Sequence, residues 1–504
     1  MSDTVAFIDV GTNSIHMIVV GFRGDSLGTV LFHDKETIRM GKGLYENGLL
    51  DADTINKAAF VLQKFSAIAK DNGATEIIAM ATCAAREAPN RSELVEAARN
   101  VGVELRVIPG KEEARLIRLG VLGPNSARRT LCIDVGGGST ELALADGKED
   151  LYLDSLSLGA IRMAYGSGVD QTRKVTPKQY ESLKRKVDAQ CYRSIAAIKE
   201  LGFDDVVGSS GTMEAIADAC AAKRGSSDAS YISRTELKAL MRQLCGMTSA
   251  ERARIPKISA SRADIVIGGG VVVEELMDLL GIERMTVSRA GLREGMKTDY
   301  LLEQGCSEFS PRSDAVRNLA VRCGCDTAHE KAVVRYAEEI RGEFVKIGLL
   351  SEGDPMKELL GYAAQLHDVG SFISYERHNV HSYIIIRNSY LAGFDSSELE
   401  KMALLARFHH GSFPGADSKM LAAFDRQTIS EVRKYAMVLK MADIMDRCRD
   451  GAVDSIAAEK LNGNVNLTVS SESDISLVIW KLRSIADDFL DVFGFRMHVD
   501  FLRL

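Results

Sequence analysis

Two glycine-rich turns, each preceded by an aspartate, carry the side chains of this sequence best suited to binding phosphate. Asp9 begins the first turn and Asp134 begins the second, and glycines and hydroxyl or amide side chains follow both. Glycines let backbone N–H groups approach an anion closely. Carboxylate oxygens are ligands that Mg²⁺ prefers, so the aspartates predict a cation beside the anion. The predicted phosphate ligands of the two turns are Gly11, Thr12, Asn13, Ser14, Gly136, Gly137, Gly138, Ser139 and Thr140.

The two turns lie in similar stretches of sequence. Val5–Ile8 and Leu131–Ile133 predict buried strands immediately before them, and Ile15–Val20 and Glu141–Ala145 predict strands immediately after them. One such hairpin could simply reverse the chain, whereas two with matched aspartates indicate an internal repeat. The repeat predicts two similar lobes that face one cleft.

Two further glycine-containing segments resemble strand-to-helix turns. Gly211 and Thr212 follow a predicted strand at Asp205–Val207, and the triplet Gly268–Gly270 follows a predicted strand at Ile265–Ile267. Helix N-termini with free amides bind anions, so both segments are weaker candidates for phosphate contact. Neither matches a P-loop or a dinucleotide-binding pattern.

The elements that must position these turns alternate between strands and helices over roughly the first 300 residues, as in an α/β fold. Asp53–Lys70 and Pro177–Leu201 have the apolar spacing of helices. After a Gly, Ser and Pro-rich linker at Gly305–Ser313, the pattern is almost wholly helical to about Arg449. The last fifty residues predict a strand, a helix and a strand, at Val465–Val469, Ile475–Val492 and Arg496–Phe501.

Four segments together resemble the exopolyphosphatase/guanosine pentaphosphate phosphohydrolase family. They are Ile8–Ser14, Lys111–Ile117, Ile133–Glu141 and Gly291–Gly295, and they follow the family order over about 300 residues. The resemblance implies two actin-like domains of ribonuclease-H type, here residues 1–126 and 127–304, with the phosphate chain entering the cleft between them. It also implies Mg²⁺, with Mn²⁺ as an alternative ion, and a homodimer.

The resemblance assigns roles to individual side chains. It makes Glu113 the base that activates the attacking water, with Glu141 as the second catalytic carboxylate. Asp9, Asp134 and Glu141 would hold the metal ion. Arg86 matches the arginine that contacts phosphate in the family, and Arg262 is a weaker candidate for the same contact.

Less specific interpretations of two of these residues stay open. A glutamate in the first turn of a helix is favoured by the helix dipole without any catalytic role, and Glu112 suits that description better than Glu113. Arg86 could equally be an exposed arginine paired with Glu87 or Glu76.

Histidines are concentrated in the predicted helical region, where six of the nine lie between residues 329 and 410. His329, the pair His367-Asp368 and Asp443 have the order of HD-type metal phosphohydrolases, and these four residues are a candidate second metal site. Adding His381 and either His409 or His410 would extend it to two metals. Long members of the family often carry an HD-like domain that has lost its ligands. The alternative interpretation is that this domain has no metal-dependent activity and instead extends the substrate channel and supports dimerisation.

The predicted fold class is therefore α/β, with two actin-like (ribonuclease-H-type) domains, an all-α HD-like domain and a small α+β C-terminal tail. The last two are predicted at residues 312–450 and 451–504.

Composition limits the class of protein. The chain has 504 residues, too many for one hydrophobic core, and its net charge of −7 argues against a nucleic-acid partner. The sequence predicts no signal peptide and no membrane span. Nine cysteines without a CxxC pair do not form a disulfide framework, which predicts a location in the reducing cytoplasm.

The favoured function is an exopolyphosphatase that releases orthophosphate from the end of inorganic polyphosphate. Guanosine pentaphosphate 5′-phosphohydrolase is the first alternative, because both substrates present a terminal phosphoanhydride to the same turns. An actin-fold small-molecule kinase and a non-catalytic sensor of polyphosphate or ppGpp are less favoured. The motif at Lys111–Ile117 argues against the kinase, and intact Glu113 and Glu141 argue against the sensor.

Overall fold

The computed structural model describes residues 4–22, 28–225, 228–306, 310–389, 391, 393–422, 424–461 and 463–504. The chain forms two compact units, Met1–Pro311 and Arg312–Leu504. None of the helices in these described ranges is long and apolar enough to cross a membrane.

The first unit contains two mixed sheets of related topology. The first sheet has the order β3-β2-β1-β4-β5 and the second has the order β8-β7-β6-β9-β11-β10. The strands of the first sheet are β1 (Thr4–Val10), β2 (Ser14–Gly21), β3 (Thr29–Thr37), β4 (Glu76–Ala81) and β5 (Leu105–Val107). Those of the second are β6 (Ser126–Val135), β7 (Thr140–Gly147), β8 (Glu149–Leu156), β9 (Asp205–Ser209), β10 (Tyr231–Ser233) and β11 (Arg284–Val287).

Corresponding strands pair in the same way in both sheets. β1 is antiparallel to β2 and parallel to β4, and β6 is antiparallel to β7 and parallel to β9. The internal repeat predicted from the two turns is thus present as a repeated sheet. The separation of this unit into domains at residues 126 and 127 stays a prediction.

Twelve helices belong to the described part of the first unit. They are α1 (Met40–Asn47), α2 (Ala52–Asp71), α3 (Cys83–Glu87), α4 (Arg91–Asn100), α5 (Gly110–Leu122), α6 (Ala160–Tyr165), α7 (Pro177–Leu201), α8 (Gly211–Arg224), α9 (Arg234–Cys245), α10 (Ser249–Arg252), α11 (Val266–Leu280) and α12 (Leu292–Glu303). The helices predicted at Asp53–Lys70 and Pro177–Leu201 are confirmed as α2 and α7. α7 begins where its sequence directs, because Thr176 and Gln179 form a capping box and Pro177 is the first helical residue.

The strand predicted at Ile265–Ile267 is wrong, because these residues begin α11. The helix is buried on nearly every side, so its apolar run has no helical periodicity and cannot be distinguished from a buried strand. Gly268–Gly270 lie inside the helix and form no turn. A Cβ on Gly268 would lie 2.5 Å from the Ala160 carbonyl oxygen, so this glycine lets α11 pack against α6.

Close packing between α5 and α12 likewise depends on glycine. A Cβ on Gly295 would lie 1.8 Å from the backbone oxygen of Leu116, and a Cβ on Gly120 would lie 2.2 Å from that of Gly291. Arg115 on α5 also makes a bidentate ion pair with Asp299 on α12. This contact sets the position of α5, whose first turn carries Glu113.

The second unit is mainly helical and ends in a small sheet. Its helices are α13 (Pro311–Arg322), α14 (Thr327–Lys346), α15 (Met356–Leu366), α16 (His378–Asn388), α17 (Ser396–Phe408), α18 (Arg426–Met445), α19 (Ser476–Arg483) and α20 (Ala486–Phe493), with a 3₁₀ turn at Val369–Phe372. The strands are β12 (Ser455–Leu461), β13 (Asn464–Ser471) and β14 (Arg496–Arg503), in the order β12-β13-β14. One apolar core runs from Val316 to Val499, so the helices and the sheet share their buried side chains.

The predicted C-terminal elements are confirmed in part. The strands predicted at Val465–Val469 and Arg496–Phe501 are the parallel pair β13 and β14. The single helix predicted at Ile475–Val492 is wrong, because it breaks at Ser484 and Ile485 into α19 and α20. β12 was not predicted. The predicted linker is shorter than expected, since α13 begins at Pro311, and its residues 307–309 lie outside the described residues.

Candidate functional site

The two predicted phosphate turns are closed by the same backbone hydrogen bond. The Gly11 amide donates to the Ser14 carbonyl at 3.0 Å, and the Gly136 amide donates to the Ser139 carbonyl at 3.0 Å. Each turn joins the first two strands of its sheet. The repeat therefore extends from strand order to individual hydrogen bonds.

The two turns also contact each other. A Cβ on Gly137 would lie 3.2 Å from Cβ of Thr12, and a Cβ on Gly138 would lie 2.7 Å from Oγ1 of Thr12 and 2.4 Å from Oη of Tyr45. Only glycine leaves room for this approach. The structure thus brings the first and second turns, which are more than a hundred residues apart in sequence, to one place.

Four carboxyl groups lie beside the turns, and burial is the largest influence on all of them. It raises the pKa of Asp9 to about 7, of Glu113 to about 7 and of Asp134 to about 6. It also raises the pKa of Glu141, which is further repelled by Glu113 and Asp134. Negative charges collected in a buried place are stabilised by a cation.

Hydrogen bonds satisfy some of these carboxyl oxygens, and one fully buried oxygen among the described residues has no partner. Ser209 Oγ donates to Asp134 Oδ2 at 2.5 Å, and Ser155 Oγ donates to Glu141 Oε1 at 2.8 Å. Oδ1 of Asp9 is buried and has no hydrogen-bond partner among the described residues. Neither serine was a predicted site residue: Ser155 lies in no recognisable motif, and Ser209 lies in the glycine-containing turn from which only Gly211 and Thr212 were predicted.

The register of the strands explains why two of these groups are neighbours. Asp134 on β6 lies opposite Glu141 on β7, and Asp9 on β1 lies opposite His16 on β2. The second lobe thus has two carboxylates where the first has a carboxylate and an imidazole. In the described chain the ligand atoms of Asp9, Asp134 and Glu141 are not all within 4.8 Å of one another.

The structure distinguishes the two glutamates of α5. Arg86 Nη1 donates to Glu113 Oε2 at 2.8 Å and to the Ile108 carbonyl at 3.0 Å, and Glu113 is only 6% exposed. Glu112 instead accepts two hydrogen bonds from Arg115, each of 2.9 Å. The interpretation of a first-turn carboxylate in a surface ion pair therefore fits Glu112 and does not fit Glu113.

Arg86 is not paired with either of the glutamates that the sequence offered as alternatives. Its described ion pair is with Glu113, whereas Glu87 pairs with Arg162 at 2.5 Å. Arg162 Nε also donates to the Gly138 carbonyl at 2.7 Å. Arg162 is thus a second arginine beside the glycine turns, and no motif in the sequence points to it.

The weaker phosphate candidates of the second lobe also come together. Ser210, with φ of 106°, caps α8 by accepting hydrogen bonds from the amides of Thr212 and Met213. A Cβ on Gly211 would lie 2.0 Å from Nη2 of Arg262, so the guanidinium rests directly on this glycine. Gly211, Thr212 and Arg262 are therefore adjacent at the start of α8, although the strand expected after Arg262 is a helix.

Family models match both units of this chain. The model described as the Ppx/GppA phosphatase family matches residues 19–304, and that of Ppx/GppA phosphatase, domain III, matches residues 312–491. The chain belongs to the Ppx/GppA phosphatase family. This membership confirms the predicted resemblance and the expectation of an enzyme that hydrolyses phosphoanhydrides.

Individual Ppx/GppA relatives agree with the family match. A guanosine-5′-triphosphate,3′-diphosphate pyrophosphatase of Aliivibrio fischeri is 28% identical over 454 residues, which are 88% of this chain and 87% of that protein. One of Vibrio cholerae is 28% identical over 409 residues, 81% of this chain and 80% of its own length.

Solved structures of the family resemble the fold over a shorter span. An exopolyphosphatase from Cytophaga hutchinsonii is 26% identical with a TM-score of 0.55, covering 60% of this chain and 98% of its own. The Ppx/GppA family member of Aquifex aeolicus, at 22% identity and a TM-score of 0.51, supports the fold alone and covers 60% of this chain and 99% of its own. These similarities confirm the α/β, actin-like prediction for the first part of the chain.

The second unit of this Ppx/GppA chain brings together all four predicted ligands of the candidate second metal site. Nε2 of His329 lies 3.3 Å from Nε2 of His367, and both nitrogens lie near Asp443 Oδ1, at 3.6 and 3.7 Å. Asp368 Oδ1 lies 3.8 Å from His367 Nε2.

Two further histidines extend this cluster, and one differs from expectation. His409 belongs to it as expected, but the other is His378, at the start of α16, and the expected His381 is not part of it. His378 and His381 both lie on α16, three residues apart, and therefore on neighbouring parts of its surface. Spacing alone could not decide which of them faces the cluster.

Proposed function

We propose that the first unit hydrolyses the terminal phosphoanhydride of inorganic polyphosphate and releases orthophosphate. The observation that carries this proposal is the pair of matching glycine turns in contact with each other beside four buried carboxyl groups. Amide-lined turns suit phosphate oxygens, and the carboxyl groups suit a cation and a base. A chain with a net charge of −7 would bind a polyanion through these local features.

We further propose that Asp9, Asp134 and Glu141 hold Mg²⁺. The partnerless buried oxygen of Asp9 and the all-oxygen donor set suit a hard divalent ion. When bound, Mg²⁺ would neutralise charge on the phosphate oxygens.

The residues of the chain divide the remaining work in this proposal. Glu113 accepts a proton from the attacking water, whose oxygen bonds to the terminal phosphorus as the anhydride P–O bond breaks. Amides of both turns donate to the phosphate oxygens and hold the terminal group in line. Arg86 holds the Glu113 carboxylate in place and offers its remaining N–H groups to phosphate.

This role of Glu113 predicts the pH dependence of the reaction. Burial raises its pKa to about 7, while the charge and hydrogen bond of Arg86 lower it. Because a base must be ionised, the rate should rise with pH through the pKa of Glu113. Removing the Arg86 charge leaves the burial effect opposed mainly by the weaker influence of the Thr82 hydrogen bond, so Arg86→Gln should move the acidic limb of the pH profile to higher pH. Profiles of kcat against pH would measure the shift.

Lys111→Gln is the matched control for that experiment. Lys111 is exposed on the same helix and is not among the largest influences on the pKa of Glu113. The acidic limb of the kcat profile of Lys111→Gln should coincide with that of the wild type. An Arg86→Gln limb that stays in place, or moves to lower pH, would contradict the assignment of Glu113 as base.

Guanosine pentaphosphate is the second candidate substrate, and one observation favours it. The relatives that extend over both units, in Aliivibrio fischeri and Vibrio cholerae, are named for that type of substrate. The solved exopolyphosphatase covers 60% of this chain. Both substrates offer the same terminal anhydride, so the proposed residues would act identically on either.

A direct comparison of the two substrates tests the proposal. Phosphate release is measured from long-chain polyphosphate and from guanosine pentaphosphate at equal concentrations of terminal phosphate. We expect kcat/KM to be at least about tenfold higher for polyphosphate, a difference of about 1.4 kcal/mol in transition-state binding. The opposite order would establish the alternative, and no release from either substrate would reject the proposed chemistry.

We also propose that the second unit is an HD-like domain and that its cluster of histidines and aspartates holds a metal ion. Support comes from the convergence of His329, His367, Asp368 and Asp443 in a buried place. Homodimer formation and a cytoplasmic location remain predictions from the sequence.

A further inference from the structure

The second unit gathers six potential ligand residues, more than the four that a tetrahedral metal ion takes. We propose that it carries a two-metal centre that hydrolyses phosphate esters of nucleotides, as an activity separate from that of the first unit. His329, His367 and Asp368 would bind one ion together with Asp443, whose Oδ1 lies 3.6 and 3.7 Å from the two imidazole nitrogens and which also lies close to His409. Asp368, His378 and His409 would bind the other, with Asp368 shared between them.

Hydrogen bonds determine which ring nitrogen of each histidine carries the proton. A carbonyl oxygen only accepts, so a ring nitrogen beside it is the N–H donor, and the other nitrogen of a neutral ring has a free lone pair. Three histidines have Nδ1 beside a backbone carbonyl: His367 at Ala364 (2.7 Å), His378 at Tyr375 (3.0 Å) and His409 at Ala406 (2.6 Å). Nδ1 of His329 lies 2.6 Å from Asp446 Oδ2, a carboxylate that anchors it in the same way.

All four free lone pairs therefore belong to Nε2 atoms, and these atoms face one another. Nε2 of His378 lies 3.1 Å from Nε2 of His409, and Nε2 of His329 lies 3.3 Å from Nε2 of His367. Two facing lone pairs repel each other, and these side chains are at most 8% exposed, which leaves little water to separate them. A cation between the members of each pair turns both repulsions into bonds.

The carboxylates complete each set of ligands. Oδ1 of Asp368 lies 3.4 Å from Nε2 of His378, 3.8 Å from that of His367 and 3.9 Å from that of His409. These separations are too long for hydrogen bonds. Two ligand atoms bound at about 2.0–2.1 Å to the same ion lie roughly 3.0–3.4 Å apart, so small movements would complete the coordination. Mixed imidazole and carboxylate ligands suit Mn, Fe or Zn.

The surroundings of the cluster indicate the class of substrate. A cavity of about 200 Å³ opens over it and is lined also by Tyr375, Arg447 and Arg449. Arg449 donates to Asp368 Oδ2 at 2.8 Å, and both arginines are exposed at the mouth, where they suit a phosphate. The Tyr375 ring is stacked on His378 with centroids 5.5 Å apart, and 70% of this tyrosine is exposed. An aromatic surface beside a cationic mouth fits a nucleotide.

The proposed reaction needs only water as co-reactant. The oxygen of water bonds to phosphorus, the ester P–O bond breaks, and a proton from water ends on the leaving alcohol oxygen. No oxidation or reduction takes place. Two ions sharing one carboxylate would stabilise the attacking and leaving oxygens together.

Metal stoichiometry tests the centre directly in the full-length protein. The protein is incubated with Mn²⁺, desalted and analysed for bound metal. Because carboxylates of the first unit also accept Mn²⁺, the quantity of interest is the difference from the wild type. We expect Asp368→Ala to lose two ions per chain, the double variant His378→Gln/His409→Gln to lose one, and the control His381→Gln to lose none. Equal metal content in all four proteins would overturn the proposal.

Ester hydrolysis tests the activity, with the p-nitrophenyl ester of thymidine 5′-monophosphate as probe. We expect Mn²⁺-dependent release of p-nitrophenol, at least 100-fold slower in the double variant and in Asp368→Ala but unchanged in His381→Gln. Tyr375→Ala should raise KM at least threefold. Glu113→Gln should lose phosphate release from polyphosphate and still cleave the ester, which keeps this proposal distinguishable from the one for the first unit.

Two results would overturn the proposed activity. One is absence of ester hydrolysis by the Mn²⁺-loaded wild type, and the other is its loss in Glu113→Gln. Melting temperatures of all variants identify any that fail to fold. If Asp368→Ala fails to fold, the double variant His378→Gln/His409→Gln alone provides the test.

Discussion

Glu113→Gln is expected to lower kcat for phosphate release from polyphosphate by about 10³-fold, within the usual range for removal of a general base. Glutamine keeps the size of the side chain and can still accept a hydrogen bond from Arg86, which lies 2.8 Å away in the wild type. It cannot take a proton from water. Binding relies on the turns, so KM should change little.

Glu112→Gln is the matched control, because it makes the same chemical change one residue earlier on α5. Glu112 is bound to Arg115, which in turn binds Asp299, so its loss should affect stability slightly and kcat less than about threefold. Steady-state phosphate release from Glu113→Gln and Glu112→Gln tests which of the two glutamates is the base. Retained turnover in Glu113→Gln, or an equal loss in both variants, would refute the assignment of the base.

Gly295→Ala is expected to destabilise the first unit by about 3 kcal/mol and to lower kcat by about 10²-fold. Gly295 has no side chain that could take part in the reaction, so the effect on kcat would be indirect. The added Cβ would lie 1.8 Å from the backbone oxygen of Leu116, so α12 and α5 must separate. Overpacking of this kind costs about 1–3 kcal/mol or more, which exceeds the roughly 1 kcal/mol that alanine gains over glycine in a helix. Moving α5 also moves Glu113, and a displacement of about 1 Å can cost about 10² in rate.

Gly291→Ala is the control from the same motif. A Cβ at Gly291 meets no atom within 4 Å, so this variant should lose less than about 1 kcal/mol, the usual cost of a changed N-cap. Urea denaturation measures stability, and phosphate release measures the position of Glu113. If both glycine variants behave alike, the close contact between α5 and α12 does not control the site.

Both predictions depend on how α5 is held. Its first turn presents Glu113 to the carboxyl groups beside the turns, while Arg115 and Gly120 tie the rest of the helix to α12. The segment Gly291–Gly295, which the sequence linked to the family, therefore acts through helix packing. Arg293 in this segment also lowers the pKa of Asp9, so it adds a positive charge near the predicted metal ligands.

Local chemistry accounts for what could be predicted of the fold. The two turns and their aspartates were found because glycine, hydroxyl and carboxylate groups must be close in sequence to form a phosphate-binding hairpin. The helix at Pro177–Leu201 could be predicted because its apolar spacing is a local signal, and its capping box, seen in the structure, is local as well. The strand prediction at Ile265–Ile267 is wrong because the first turns of α11 are apolar and buried on every side, so no polar residue there reveals the helical period.

Local sequence patterns are enough to identify a duplicated glycine-rich hairpin, a family with phosphohydrolase chemistry and a histidine-rich helical region. Tertiary structure alone decided that Glu113, rather than Glu112, pairs with Arg86 and that His378, rather than His381, faces His409. These choices depend on which side of a helix meets another element. Neighbouring residues of one helix have almost the same sequence surroundings, and only the packing of distant segments makes them different.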